Sequence, residues 1–400
     1  METRLNYPGF TTRAFLQRHI RSILDFYEPV ARDPAGGFFH CFTDDGRVYD
    51  AATRHLVSST RFVFNYAHAY RLGYGDHYRQ WARHALAFVH AHRQPAGHYA
   101  WEITNEGRVL DGRAMAYGQA FVLLAGASAL EAGIAEGREL VDDAWKILET
   151  LFWEEERAAY ADERDASLQR LDPYRGQNAN MHACEALLAA YQATGEQAFL
   201  DRSMLLAQGF TTRHAAATGG QVWEHYTTDW RPDWEYNQDK PDDLFKPWGF
   251  QPGHQAEWAK LLLQLAQHNR EDWLLPTARG LLDKAWERGW DKEHGGLVYG
   301  YAPQGGFADA HKYFWVMAEA IAAAWRLWRA CGEQEYLDKY KQLWRYAWDH
   351  LIDHKHGAWF RIRSREGRAI DDLKSPPGKV DYHTLGACWD LLATGGQSEE

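Results

Sequence analysis

Apolar residues recur along this 400-residue chain with helical spacing, in blocks separated by short glycine- and aromatic-rich stretches. After Pro252 and Gly253, which read as the end of a loop, Trp258, Leu261, Leu262 and Leu265 fall at i, i+3, i+4 and i+7, on one helix face. The same spacing predicts helices over about 11–28, 53–72, 76–92, 113–132, 136–151, 178–194, 196–213, 254–268, 273–288, 311–331, 334–352 and 379–393. Between them, residues 36–49 read as strand–turn–strand with Asp45-Gly46 at the turn, and 97–109 as a second hairpin. Related stretches begin at Ala158, Gly219, Gly295 and Gly357. They recur roughly every sixty residues, and the spacing lengthens once, where an insert spans Gly219–Phe250. Two helices separate each pair, the first usually Ala-rich and apolar, the second more amphipathic.

Such periodicity signals one unit repeated and stacked. The expected fold is all-α: a single (α/α)6 barrel of twelve helices with short β-hairpins on one rim, occupying residues 1–400 as one catalytic domain. An open solenoid is the alternative, but it would not ordinarily carry so many irregular aromatic loops on one side. No low-complexity linker divides the chain.

Composition adds an aromatic load of 19 Trp, 21 Tyr and 18 Phe. Trp101, Trp223, Trp230, Trp234, Trp248 and Trp359 fall in connecting segments, where rings suit the C–H faces of sugars. Filling the barrel ends is the other use for them. The formal net charge of -11, without a long basic run, argues against nucleic acid and against an anionic membrane surface. Four scattered cysteines form no CxxC, and Cys184 and Cys388 sit in apolar helical patterns as small core residues. The stretch Met1–Tyr7 lacks a charged-then-apolar layout, and no run approaches membrane-spanning length. The expectation is a soluble cytoplasmic protein, monomer or homodimer, whose partner is a small molecule.

Polar residues interrupt the apolar pattern at several inner-helix starts. His254 and Glu257 lie three residues apart in a first turn, where a carboxylate can orient an imidazole and raise its basicity. A polar helix start with Glu near the positive end of the dipole accounts for the pair equally well. Arg61 sits among Val57, Phe62 and Phe64, and is costly to bury without a polar or anionic partner. Asn178 and His182 share a face with Glu185 a turn further on; capping explains the Asn but not the His. His383 opens the final helix, and Trp315 and Glu319 lie one turn apart. In a closed barrel these starts converge on one mouth. His254-x-x-Glu257 has formal metal-ligand spacing, but no phosphate loop, dinucleotide fingerprint or nucleophile elbow is present. Proton transfer without metal or cofactor is the simplest chemistry that these histidines support.

The segments Gly176–His182, Pro252–Trp258 and Asp381–Thr384 resemble those of the N-acylglucosamine 2-epimerase superfamily, and the resemblance spans essentially the whole chain. That superfamily includes N-acylglucosamine and cellobiose 2-epimerases and aldose–ketose isomerases acting on mannose; the segment Arg54–Arg61 and the chain length look most like the last branch. The resemblance implies an (α/α)6 barrel with a monosaccharide pocket at its helix starts. It implies His254 as base, Glu257 as its support and His383 as the partner acid/base. Arg61, Asn178, His182, Tyr117 and Trp315 would bind the sugar. The reaction implied is D-mannose to D-fructose (or a related aldose such as D-lyxose) through a cis-enediol, with 2-epimerisation as the alternative. A glycoside hydrolase using carboxylates such as Glu224 and Asp229, or a sugar binder without catalysis, are the rivals from other classes.

Overall fold

The computed structural model describes residues 7–395. The Met1–Asn6 stretch, read above as lacking a signal layout, lies outside the described residues. Twelve helices form among those described: α1 (Arg13–Tyr27), α2 (Leu56–Arg71), α3 (His77–Val89), α4 (Ala116–Glu131), α5 (Gly137–Ile147), α6 (Gln177–Thr194), α7 (Gln197–Gln208), α8 (Pro252–Leu265), α9 (Leu274–Gly289), α10 (Phe314–Cys331), α11 (Gln334–Tyr346) and α12 (Tyr382–Ala393). The even-numbered helices form an inner ring, each packing on the next and α12 closing back onto α2. Each odd-numbered helix packs outside as the hairpin partner of an inner one, with α1 against α12. This is the (α/α)6 barrel that the repeat implied.

Burial explains the two helix types. Inner α4 and α10 are buried almost all round, as helices with neighbours on every side must be. Outer α5 buries only Gly137, Leu140, Val141, Ala144 and Ile147, the stripe of a surface helix. Gly126 and Gly137 let the α4 and α5 backbones touch; a Cβ at either would meet main-chain atoms of the other. Three outer helices, α5, α7 and α11, end earlier as α-helix than their apolar patterns suggest. Residues 148–152, 209–214 and 347–351 continue as wider π turns, so the periodic pattern runs past the α-helical hydrogen bonding.

Short strands lead into the inner helices and place all the hairpins on one rim. Thr53–His55 runs into α2 and pairs with Glu102–Thr104; Arg175–Gly176 runs into α6 and pairs with His225–Tyr226. Lys312–Tyr313 precedes α10 and pairs with Ile362–Arg363. The strand Cys41–Thr43 pairs with both Val48–Asp50 and Leu373–Ser375, which ties the first repeat to the last. Gly46 takes φ +85 at the predicted Asp-Gly turn, a conformation that glycine adopts without cost.

The insert 219–250 folds as a string of turns over this rim. Its Phe245 ring lies parallel to His55 at 5.8 Å and edge-on to Trp101 at 5.5 Å. His225 Nε2 bonds the Pro247 carbonyl at 2.8 Å, pinning the segment. Cys184 and Cys388 are buried core residues, and no helix among the described residues is long and apolar enough to cross a membrane.

Candidate active site

Because every inner helix starts at the hairpin rim, its first turns face one mouth. His254, His383 and Trp315 come from the starts of α8, α12 and α10 and line a single cavity. Tyr117, Asn178 and His182 complete its wall from α4 and α6. Phe245 and Pro247 of the insert, with Tyr299 and Lys379, close it from above. The sequence expectations therefore meet in one place, except that neither Arg61 nor Glu257 lines the cavity.

Trp315 stands between the two histidines, its ring 4.9 Å from His254 and 5.6 Å from His383. Gly253 makes the first contact feasible, since a Cβ there would collide with the Trp315 ring. His254 Nδ1 lies 2.9 Å from Glu224 Oε2. Gln177 holds that carboxylate: its Nε2 donates to Glu224 Oε2 at 2.9 Å, while its Oε1 accepts from Trp258 Nε1 at 2.8 Å. The indole N–H is only a donor, so the amide orientation is set by its partner. Gln177 Nε2 also lies 3.0 Å from His254 Nδ1, but that amide donates to Glu224; the carboxylate accepts only, so His254 carries its proton on Nδ1 and keeps Nε2 as the acceptor nitrogen.

Glu257, expected to support His254, does not touch it. Glu224 from the insert takes the ring nitrogen instead. Glu257 turns inward, where neither of its oxygens finds a hydrogen-bond partner and Oε1 lies 3.8 Å from His182 Nδ1. Burial, reinforced by the charge of Glu319, pushes its carboxyl well above the usual range. It is a neutral acid, able to donate one hydrogen bond.

His383 repeats the pattern of His254. Its Nδ1 is 2.7 Å from Glu319 Oε1, and its Nε2 is 3.4 Å from the Arg61 guanidinium. Burial, then Arg61, holds this imidazole well below its usual pKa, so it is neutral at physiological pH. His182 Nδ1 is 3.1 Å from Glu185 Oε2, and burial pushes His182 down to about 4. Burial raises Glu185, but Lys260 and the His182 hydrogen bond outweigh it and bring the carboxyl to about 2.

Arg61 is buried between Phe121 and Tyr382, 4.6 Å from each ring centroid, and donates to the Gly378 carbonyl and to Tyr117 Oη at 3.3 Å. It acts behind Tyr117 and His383, so the expectation of direct sugar contact is corrected to an indirect one. Asn178 reaches the Phe245 carbonyl at 3.4 Å, leaving Oδ1 without a partner. Trp315 Nε1 is likewise buried and unpaired within the chain. Such atoms are costly to bury alone, and both belong to residues that line the cavity.

Sequence reasoning missed three features. Glu224 was noticed only as a hydrolase carboxylate. Lys379, buried and over the Phe245 and Trp315 rings at 5.7 Å, brings a cationic group to the cavity wall; burial, then Arg61, lowers it to about 7. The six tryptophans proposed for sugar faces do not line this cavity. Trp223, Trp230, Trp248 and Trp359 are buried as rim packing, Trp234 is 40% exposed, and Trp101 borders an adjoining cleft. Donor atoms suited to a metal come within 4.8 Å of one another in two groups, His182/Glu185/Glu257 and Glu257/Glu319/His383. Lys260 already occupies Glu319 Oε2 at 2.6 Å, and His254 belongs to neither group.

The N-acylglucosamine 2-epimerase family model matches residues 37–387, and the chain belongs to that family. The D-mannose isomerase of Marinomonas mediterranea is 47% identical over 98% of this chain and 99% of its own length. The D-mannose isomerase of Pseudomonas cannabina pv. alisalensis is 34% identical over 86% of this chain and 84% of its own. A crystal structure of a D-mannose isomerase superposes with a TM-score of 0.95 at 48% identity, covering 97% of this chain and all of that one.

Proposed function

We propose that this protein is a cytoplasmic aldose–ketose isomerase that interconverts D-mannose and D-fructose, with D-lyxose as a related substrate. The carrying observation is the pair of histidines on either side of Trp315, each with a carboxylate on Nδ1, at the wall of one cavity. The 47% identity to a D-mannose isomerase over nearly full length supports the choice of sugar.

The chemistry needs no cofactor. His254 Nε2 takes the C2 proton of the open-chain aldose. The C–H electron pair becomes the C1=C2 bond, and the carbonyl pair moves to O1. Lys379, whose charge is marginal near pH 7, is drawn to the charged form by the enediolate and supplies countercharge. The His254 imidazolium returns the proton to C1 while the O2 hydroxyl proton passes to O1, with His383 as carrier. The product is the ketose. Tautomers fixed by Glu224 and Glu319 give both imidazoles an acceptor Nε2. Trp315 and Phe245 enclose the sugar, and Asn178 and His182 meet its hydroxyls.

Epimerisation at C2 is the second reading. It is favoured by one observation: histidines flank Trp315 on two sides, so a proton could return to C2 from the opposite face. An adjoining cleft of about 730 Å³ shares Tyr117, Asn178 and Phe245 with the cavity and gives room for a second sugar ring. The test is a substrate panel of mannose, lyxose, glucose, cellobiose and N-acetylmannosamine, scored by product identity. Ketose from mannose and lyxose upholds the isomerase. C2 epimers from cellobiose or N-acetylmannosamine, with no ketose from mannose, overturn it.

A further inference from the structure

Beneath the sugar cavity, buried charges connect His383 with His182, two histidines that the mechanism treats separately. Lys260 is the ninth residue of α8, inside the otherwise apolar run Ala259–Leu263. Its ammonium is 2.6 Å from Glu319 Oε2 and 3.9 Å from Glu185 Oε1. The other oxygen of Glu319 receives His383 Nδ1, and the other oxygen of Glu185 receives His182 Nδ1. One cation thus bridges the carboxylates behind both imidazoles.

The charges facing this bridge come from five inner helices. Helix α2 brings Arg61 and His68, α6 brings His182 and Glu185, and α8 brings Glu257. Helix α10 adds Arg326, and α12 adds Tyr382, His383 and Asp390. Arg326 is spent on Asp390, which Gln264 also bonds at 3.0 Å, and Arg61 is held by Gly378, Tyr117 and the two rings. Lys260 is therefore what opposes the mutual repulsion of Glu185 and Glu319, with the neutral Glu257 beside them. Without it, burial and the Glu185 charge favour a protonated Glu319. A protonated Glu319 would donate to His383 Nδ1. The tautomer would reverse, and Nε2 would carry a hydrogen where the mechanism needs a lone pair.

A second cavity opens from the opposite end of the barrel. It is a funnel of about 390 Å³ whose wall includes Lys260, Glu185, Glu319 and His383. It reaches the bridge from the side away from the sugar.

We propose that Lys260 is a positioning residue. Its ammonium holds Glu319 and Glu185 as carboxylates, thereby sets the tautomers of His383 and His182, and is accessible through the far-end funnel rather than through the sugar mouth. The activity arm of the test rests on the isomerase reading; the spectroscopic arm does not.

The test uses Lys260→Ala and Lys260→Met in the full chain, checked for folding by circular dichroism. In Lys260→Met, kcat for mannose should fall on the order of 100-fold with KM changed only a few-fold. The loss should shrink as pH rises, because Glu319 regains its charge. Propylammonium, which replaces the deleted stem and ammonium of Lys260→Ala, should restore kcat without competing with sugar. Histidine-selective 15N spectra should show Nδ1-protonated His383 in the parent, identified by its absence in His383→Asn, and the reversed tautomer in Lys260→Met. A uniform loss at every pH with an unchanged His383 tautomer overturns the proposal, as does propylammonium that competes with mannose. If the single variants do not fold, Lys260→Met/Glu319→Gln removes both charges together. It should stay slow at all pH values, because the amide has no proton to lose, and alkaline recovery in that variant contradicts the proposal. If the parent protein leaves mannose unchanged, the functional reading fails while the 15N comparison still decides the role of Lys260.

Discussion

Glu224 Oε2 lies 2.9 Å from His254 Nδ1, although the two residues are 30 apart in the chain and on different elements. Glu257, three residues from His254 on the same helix, is turned away from it. Glu224→Gln puts an amide against Nδ1 and removes the demand for a single tautomer. It should lower kcat by a factor of about 10² to 10⁴ while the fold persists. Glu257→Gln keeps a neutral donor in place and should cost no more than about tenfold. Steady-state kinetics of the two variants, side by side, check this; the reverse order would return the supporting role to Glu257.

His254→Ala and His383→Ala each remove a proton carrier that nothing else in the cavity replaces. Turnover should drop about a thousandfold or more in each, with unchanged far-ultraviolet circular dichroism. A variant that keeps a near-parental rate takes its histidine out of the mechanism.

Gly253→Ala tests the packing that seats His254 on Trp315. The added methyl meets the Trp315 ring, and relieving the overlap should cost about 1–3 kcal/mol. A lower Tm together with a lower kcat is expected. A parental kcat would mean that the placement of Trp315 does not matter to the chemistry.

Lys379 is lowered to about 7 by burial and by Arg61. Its amine loses its proton as pH rises through 7, so it should react with acylating reagents by pH 8, where ordinary lysines, with pKa about 10.4, stay charged. Peptide mass spectrometry over about pH 6 to 9 reads the midpoint. Protection by fructose should accompany it. Labelling that rises only with the surface lysines would place Lys379 outside the sugar pocket.

The fold was legible because the apolar period carries it. A helix buried on all sides reads as Ala-rich and apolar, as α4 does, and an outer helix reads as a stripe, as α5 does. The ends of α5, α7 and α11 were less legible, since a π turn continues the same apolar face beyond the α-helix. His254, His182 and His383 stood out as polar residues at apolar helix starts. Their partners did not, because hydrogen bonding to Glu224 or Glu319 joins residues far apart in sequence. Local spacing pointed to Glu257 instead. Lys260 was hidden for a similar reason: a single lysine in a helix ordinarily marks a solvent-facing position, and only the assembled ring shows three carboxyl groups around it. The tryptophan count could not say which rings face a ligand, and Trp315, rather than any of the six loop tryptophans, stands between the histidines.

The most direct measurement is a proton NMR time course of mannose in deuterium oxide with EDTA-treated protein. The mechanism predicts fructose as the first product at an unchanged rate after chelation, with deuterium at C1 wherever the transferred proton exchanges on His254. Glucose as the early product, or activity that vanishes with EDTA and returns with added metal, would contradict it.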